Sequence, residues 1–316
     1  MSASTSTFQA APALQRVLIA IDGSTASDQA LAYARAFVPS NASVRIVSVA
    51  DNPRTLVPRG ARSTAFLDSA REELLGDATD ALSRAARAMA RDDLALDTEV
   101  VDLSTHGGDI AHALADSAQA WQAELVIVGA RQHHGLRGWI EGTVSGPLGM
   151  LVGCPLLIVP EGFGSVAEHL PRRMLFAVDG SPIALHALRT GLKLSWPDTE
   201  FRAIYVLDRP SSLGDFVPVE TLEQALTSEG HHALQKAMAL LDGTAGHAQS
   251  QLIRTDRADA DVPHLIVHDA IEWNADLIVM GTHGRRGVTR WLVGSVAGRV
   301  ARITKTPVLL VSAPHA

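Results

Sequence analysis

The chain repeats itself. Arg16-Val-Leu-Ile-Ala-Ile-Asp22-Gly23-Ser24 returns as Arg173-Met-Leu-Phe-Ala-Val-Asp179-Gly180-Ser181, and the register then holds without gaps to Asp51 and Asp208. Further along, Trp121-Gln-Ala-Glu-Leu-Val-Ile-Val-Gly129 matches Trp273-Asn-Ala-Asp-Leu-Ile-Val-Met-Gly281. Trp139 matches Trp291, Gly142 matches Gly294, and Cys154-Pro155-Leu-Leu-Ile-Val159 matches Thr306-Pro307-Val-Leu-Leu-Val311. So many landmarks in one order mark a duplication of a whole domain, which fixes the architecture as two like units. Residues 15–160 form the first and residues 172–313 the second. The stretch Glu161 to Pro171, with two glycines and a proline, reads as the linker.

Within each half, strand and helix patterns alternate. Val17–Asp22 and Leu175–Asp179 are short apolar runs ending in Asp-Gly-Ser, the chemistry of a strand that turns into a capped helix. Ala26–Phe37 and Ile183–Leu194 carry apolar residues at helical spacing, and Val44–Val49 and Ala203–Leu207 return to strand. The amphipathic stretches Thr64–Ala90 and Thr221–Leu241 follow, then strand-like Leu96–Leu103 and Gln249–Thr255. Ile110–Trp121 and Val262–Trp273 read as helices capped by Asp109 and Asp261. Leu125–Val128 and Leu277–Met280 are fully apolar and fit central strands. Helices near Thr143–Leu151 and Ser295–Ile303, then a last strand, close each half. This βαβα alternation predicts right-handed crossovers and a mostly parallel sheet with helices on both faces. Apolar residues make up 47% of the chain but aromatics only 4%, so the core must be built from Val, Ile, Leu and Ala. In such sheets ligands sit beyond the carboxyl ends of the strands, which directs attention to the loops after Asp179, Leu207 and Met280.

The segment Gly281-Thr-His283-Gly284-Arg285-Arg286-Gly287-Val-Thr-Arg-Trp291-Leu-Val-Gly294-Ser295-Val296 carries the sharpest chemistry. Gly281 closes a buried strand and Gly294-Ser295 opens a helix. Glycines let backbone approach an anion closely, and free amides at a helix N-terminus hold phosphate oxygens. Ser295 offers a hydroxyl, and Arg285 or Arg286 a charge, for outer phosphates.

This spacing resembles the Gly-x2-Gly-x9-Gly-Ser/Thr signature of the ATP-binding universal stress proteins. The resemblance runs from Arg16 to Ser312 and includes the Asp-Gly-Ser strand ending in both halves. It implies an adenine nucleotide α-hydrolase-like, Rossmann-like fold: two tandem five-stranded parallel-sheet domains, packed as a pseudo-twofold pair through their last strands. It also implies ATP, with Mg2+ or Mn2+ accompanying the nucleotide. Carried over by position, Ala177 and Asp179 would lie by the adenine and ribose, with Val206 beside the base. Met280, Gly281, His283, Gly284 and Arg285 would line the first loop, and Gly294, Ser295 and Val296 would hold phosphates. Ala297 stands where ATP-binding members often have a further hydroxyl, which takes away one donor. The corresponding first-half set is Asp22, Val49, Gly129, Gly142 and Thr143. There the motif is degenerate, because Gln132 stands where Gly284 stands in the second half. Gln brings strain and bulk to a position that favours glycine, so the first site is expected to be weak or empty.

Other chemistries find little support. No Gly-x4-Gly-Lys-Ser/Thr, no Gly-x-Gly-x-x-Gly after a first strand and no Gly-x-Ser-x-Gly elbow is present, which argues against P-loop, dinucleotide and α/β-hydrolase machinery. His133-His134 and His231-His232 lack ligand-spaced partners and are read as solvated, so no metal site is expected from protein ligands alone. The single cysteine, Cys154, allows no intrachain disulfide and fits a buried role in a reducing cytoplasm. The formal charge of −7 argues against nucleic acid as a partner. The Ser/Thr/Ala-rich start does not read as a signal peptide, and no apolar run is long enough to span a bilayer. The expected function is a nucleotide-responsive stress regulator, not an enzyme, with protein partners unknown and a homodimer open. The alternative is a nucleotide-free chaperone-like or scaffolding stress protein.

Overall fold

The computed structural model describes residues 14–39, 41–56, 58, 63–130, 144–164, 170–207, 219–244, 246–254, 261–283 and 294–313, with backbone alone at 219–222. The first half runs β1 (Arg16–Ile21), α1 (Thr25–Phe37), β2 (Ser43–Ala50), α2 (Pro53–Leu56), α3 (Thr64–Met89), β3 (Ala95–Asp102), α4 (Leu103–His106), α5 (Ile110–Ala120), β4 (Leu125–Ala130), α6 (Ser145–Leu151) and β5 (Leu156–Pro160). The second runs β6 (Arg173–Ala177), α7 (Pro182–Leu192), β7 (Glu200–Leu207), α8 (Val219–Leu241), β8 (Ala248–Arg254), α9 (Val262–Glu272), β9 (Leu277–Gly281), α10 (Ser295–Ile303) and β10 (Val308–Val311).

The strands form one ten-stranded sheet in the order β3-β2-β1-β4-β5-β10-β9-β6-β7-β8. Each half is parallel throughout, and the halves meet antiparallel where β10 pairs β5, Leu309 opposite Leu157. The last strands, which alone would be apolar edges in need of cover, thus cover each other at the centre of the sheet. Strand order reverses between β1 and β4 in the first half and between β6 and β9 in the second. Those two switch points are where a ligand crevice opens in such sheets.

Both faces of the sheet are buried, as the low aromatic and high aliphatic content requires. On one face α1, α3, α7 and α8 pack through Ala30, Ala34, Ala81, Ala85, Ala187, Leu188, Ala233 and Ala237. On the other, α5, α6, α9 and α10 pack through Ala111, Leu114, Leu148, Ile266, Ala270, Val300 and Ala301. Small residues on the helices let backbones sit close to the Val/Ile-rich strands. Each face is a single apolar cluster that runs through both halves, so the junction is core and not a seam.

The linker is anchored to both halves. The Gly162 amide donates to Gln29 Oε1 at 2.7 Å, and Phe163 packs edge-on against Tyr33 of α1 at 5.5 Å between ring centres. Tyr33 in turn donates its hydroxyl to the Asp276 carbonyl of the other half at 3.2 Å. The Asp276 carboxylate accepts from the amides of Arg172 and Arg173 where the linker becomes β6. Burial pushes this carboxyl up to about 6 against the pull of those amides.

Candidate functional site

At the second switch point the chain leaves β6 through Val178 and Asp179. Gly180 has φ +81°, and its Cα faces the Cβ of Ala233 so closely that an added Cβ would sit 3.2 Å away. A left-handed turn under a packed helix needs glycine there. The Ser181 amide donates to Asp179 Oδ1 at 2.9 Å, and Ser181 Oγ accepts from the Ala184 amide, so the Asp-Gly-Ser ending closes into a cap for α7. The first half repeats it with Asp22, Gly23 at φ +72° and Ser24 capping α1.

The turn forms one wall of a cleft. Its lining comprises Ala177, Val178 and Asp179 from the end of β6, Ile204 and Val206 from β7, Met280 and Gly281 from β9, then His283 and Val296, with Ala184, Val262 and Ile266 contributed by helices. The enclosed space is about 120 Å3. Of the residues expected here, Ala177, Asp179, Val206, Met280, Gly281, His283 and Val296 line this one space. Gly294 and Ser295 stand beside it at the start of α10, while Gly284 and Arg285 lie outside the described residues. In the first half Asp22, Val49 and Gly129 hold the equivalent strand-end positions, and Gly142, Thr143 and Gln132 lie outside the described residues. Sequence reasoning missed Val178, Ala184, Ile204, Val262 and Ile266. Val262 and Ile266 were legible as an i, i+4 pair behind the Asp261 cap.

The start of α10 differs from those of α1, α5, α7 and α9, and shares the lack of a side-chain cap with α6, its first-half counterpart. Ser24, Asp109, Ser181 and Asp261 cap α1, α5, α7 and α9 with side-chain oxygens. At α10 the capping position is Gly294, with no side-chain cap, so the first-turn amides have no side-chain acceptor among the described residues. The Gly294 amide donates to the Thr282 carbonyl at 2.6 Å, which ties the helix start to the strand exit. A Cβ on Gly294 would stand 2.9 Å from that carbonyl oxygen, so the approach requires glycine.

The strand-closing glycines serve packing. A Cβ on Gly129 would overlap the backbone carbonyl of Ala26 in α1, and one on Gly281 would come within 2.7 Å of Ile183 Cγ2 in α7. Helix and strand touch at these points whether or not a ligand is near. Thr282 is buried, and its Oγ1 lies 3.0 Å from His283 Nδ1. His283 Nε2 is buried from water with no hydrogen-bond partner among the described residues. Asp261 accepts from His264 Nδ1 at 2.5 Å and pairs with Arg299 of α10. Burial works against its charge, but these partners prevail and hold the carboxyl below the usual range. Cys154 is remote chemically: burial pushes its thiol up to about 11, so it stays protonated. Among the described residues no group of His, Cys, Asp and Glu is arranged to hold a metal, and no helix is long and apolar enough to cross a membrane.

A doubly covered parallel sheet built twice, with an anion-ready helix start at a switch point, defines the class of protein. The model of the universal stress protein family matches residues 13–160 and again 171–312, and the chain belongs to that family. A universal stress protein of Mycolicibacterium smegmatis is 25% identical over 308 residues, 93% of this chain and 96% of that one. One from Methanocaldococcus jannaschii is 34% identical over 152 residues, 46% of this chain and 85% of its own length. The crystal structure of a universal stress protein from Archaeoglobus fulgidus shares the fold with a TM-score of 0.64 at 18% identity, covering 96% of this chain and 98% of its own.

Proposed function

We propose that this universal stress protein binds ATP in its second half and serves as a nucleotide-responsive regulator. The observation that carries the reading is the gathering of seven expected contact residues around one cleft beside the uncapped start of α10. Apolar Val206, Ile204 and Ile266 suit the faces of a base, and Asp179 suits ribose hydroxyls. The amides of Ser295 and Val296, with no side-chain cap among the described residues, suit phosphate oxygens. Small-molecule sites commonly enclose roughly 300–1,000 Å3. The 120 Å3 cleft therefore seats the nucleoside end, and the polyphosphate lies over the α10 start. Mg2+ or Mn2+ would arrive with the phosphates, its remaining ligands being water.

Among the described residues the cleft offers Asp179 and His283 as its titratable groups, and Asp179 is engaged in its turn. Hydrolysis is expected to be slow and incidental. The first half favours the second reading, of a framework without nucleotide, since packing on α1 alone accounts for Gly129. Titration of ATP with Mg2+ into ligand-stripped protein, beside Gly284→Gln, tests both. One site per chain, lost in the variant, supports the sensor; no binding by either protein leaves the scaffold reading. Many turnovers per minute would overturn the non-enzymatic reading.

A further inference from the structure

Among the described residues, the imidazole of His283 is the one polar side chain of the cleft with an unanswered nitrogen. Its Nδ1 is held by the Thr282 hydroxyl at 3.0 Å, while Nε2 is shut from water without a partner among the described residues. A buried polar atom left unpaired is unfavourable, and in a native protein it calls for an explanation. The partner on the other nitrogen matters. A hydroxyl both donates and accepts, so Thr282 can satisfy Nδ1 in the neutral ring and Nδ1–H in the imidazolium. The ring is therefore fixed in place by a contact that survives either charge state.

We propose that His283 makes the cleft select for phosphate charge: as an imidazolium it donates Nε2–H to a phosphate oxygen of the bound nucleotide, with one proton taken from solvent as the complex forms. This rests on the nucleotide reading above and adds a specific residue and a linked proton to it. No covalent bond changes; the proton moves from buffer to Nε2 and is shared with the phosphate.

The surroundings leave that role open. Asp179 at the end of β6 lines the same cleft and holds the Ser181 amide. Asp261 at the start of α9 is engaged by His264 and by Arg299 of α10. From α7 the cleft receives Ala184, and from β7 Ile204 and Val206, none of them charged. β10 meets Thr282 through the backbone carbonyl of Val311. Arg285, Arg286 and Arg290, which follow in sequence, lie outside the described residues.

The test is calorimetric titration of ATP at several pH values, in pairs of buffers with different ionisation enthalpies. The parent is compared with His283→Gln and His283→Asn, and each series is repeated with adenosine. The parent should take up more proton than either variant, by at most about half a proton for a tenfold linkage. Its affinity advantage for ATP should be about tenfold at the acid end of the series and should shrink as pH rises, a single-proton linkage. Adenosine should show neither effect. The comparison with the variants cancels the titration of the phosphate itself, and thermal melts confirm that they are folded. ATP binding with equal proton uptake by all three proteins would overturn the role of His283 while leaving the nucleotide reading intact. Equal losses for adenosine and ATP would place the imidazole on the nucleoside and also overturn it. Absence of ATP binding by the parent would overturn both.

Discussion

In the first half Arg45 of β2 lies over the Trp121 ring at 5.1 Å and pairs with Asp97 at 2.6 Å and Glu99 at 3.3 Å, both on the neighbouring strand β3. In the second half Arg202 lies over Trp273 at the same 5.1 Å, but its strand neighbours are Gln249 and Gln251. The compensating charge has moved to a helix: Arg202 pairs with Asp269 of α9 at 3.0 Å, where the first half has Ser117, itself donating to Glu99 at 2.6 Å. A second contact is inverted outright. Arg71 of α3 meets Asp102 at the end of β3 at 2.5 Å, and Glu223 of α8 faces Arg254 at the end of β8 at 3.9 Å. The repeat keeps places, not partners. A duplicated fold constrains where an ion pair must close, and leaves open which element supplies each sign.

The largest test of this comparison is at the strand-closing glycines. Gly129→Ala should cost about 3 kcal/mol or more, since its Cβ meets backbone that cannot rotate away. Gly281→Ala meets a side-chain methyl and should cost roughly 1–2 kcal/mol by denaturant unfolding. Equal costs would mean that both helices yield alike. Next comes the relocated charge. Asp269→Ala strands Arg202, whose side chain is only 17% exposed, and should cost about 3 kcal/mol. Ser117→Ala leaves Arg45 with both carboxylates and should cost about 1 kcal/mol.

The sheet starts differ as well. Gln15 gives one amide to Glu124, whereas Arg172 and Arg173 both give theirs to Asp276. Burial raises the Asp276 carboxyl from 3.8 to about 6, so the folded chain binds the proton more tightly than the unfolded one. Its contribution is therefore fully present below pH 3.8 and is lost as pH rises through about 6. Asp276→Asn should abolish that slope and add about 2 kcal/mol at pH 8, read from melts across pH, with Glu124→Gln as control. The smallest effect is expected for the inverted pair. Arg71→Glu should cost about 0.5 kcal/mol, whereas Asp102→Arg also removes the cap that Asp102 gives α4, so the double variant should recover only the ion-pair share.

Much of the fold was legible because the repeat supplied every boundary twice. The long amphipathic helices and apolar strands fell within a few residues of their expected places. The one-turn helices α2 and α4 went unseen, having too few residues for a periodic signal; α4 depends on Asp102 accepting from the Ser104 amide and on Gly107 at φ +76°. At the site, strand-end residues were readable from topology and the glycine motif. Helix residues such as Ala184 were not, because their place in the cleft depends on how far each helix leans over the sheet. Gly129 and Gly281 looked like ligand glycines, while the contact that requires them lies on a helix about a hundred residues away in sequence. The exchange between Ser117 and Asp269 was invisible for the same reason.

The antiparallel joint of β5 with β10 has a consequence for how such a chain can diverge. Two separate subunits meeting at that joint would assemble according to their concentration, and a change that weakened one surface would weaken both. Tethered by the segment from Pro160 to Arg173, the two halves meet at a fixed effective concentration set by the tether. Dilution does not part them. Either half can then drift away from ligand binding while still serving as the wall on which the other is built.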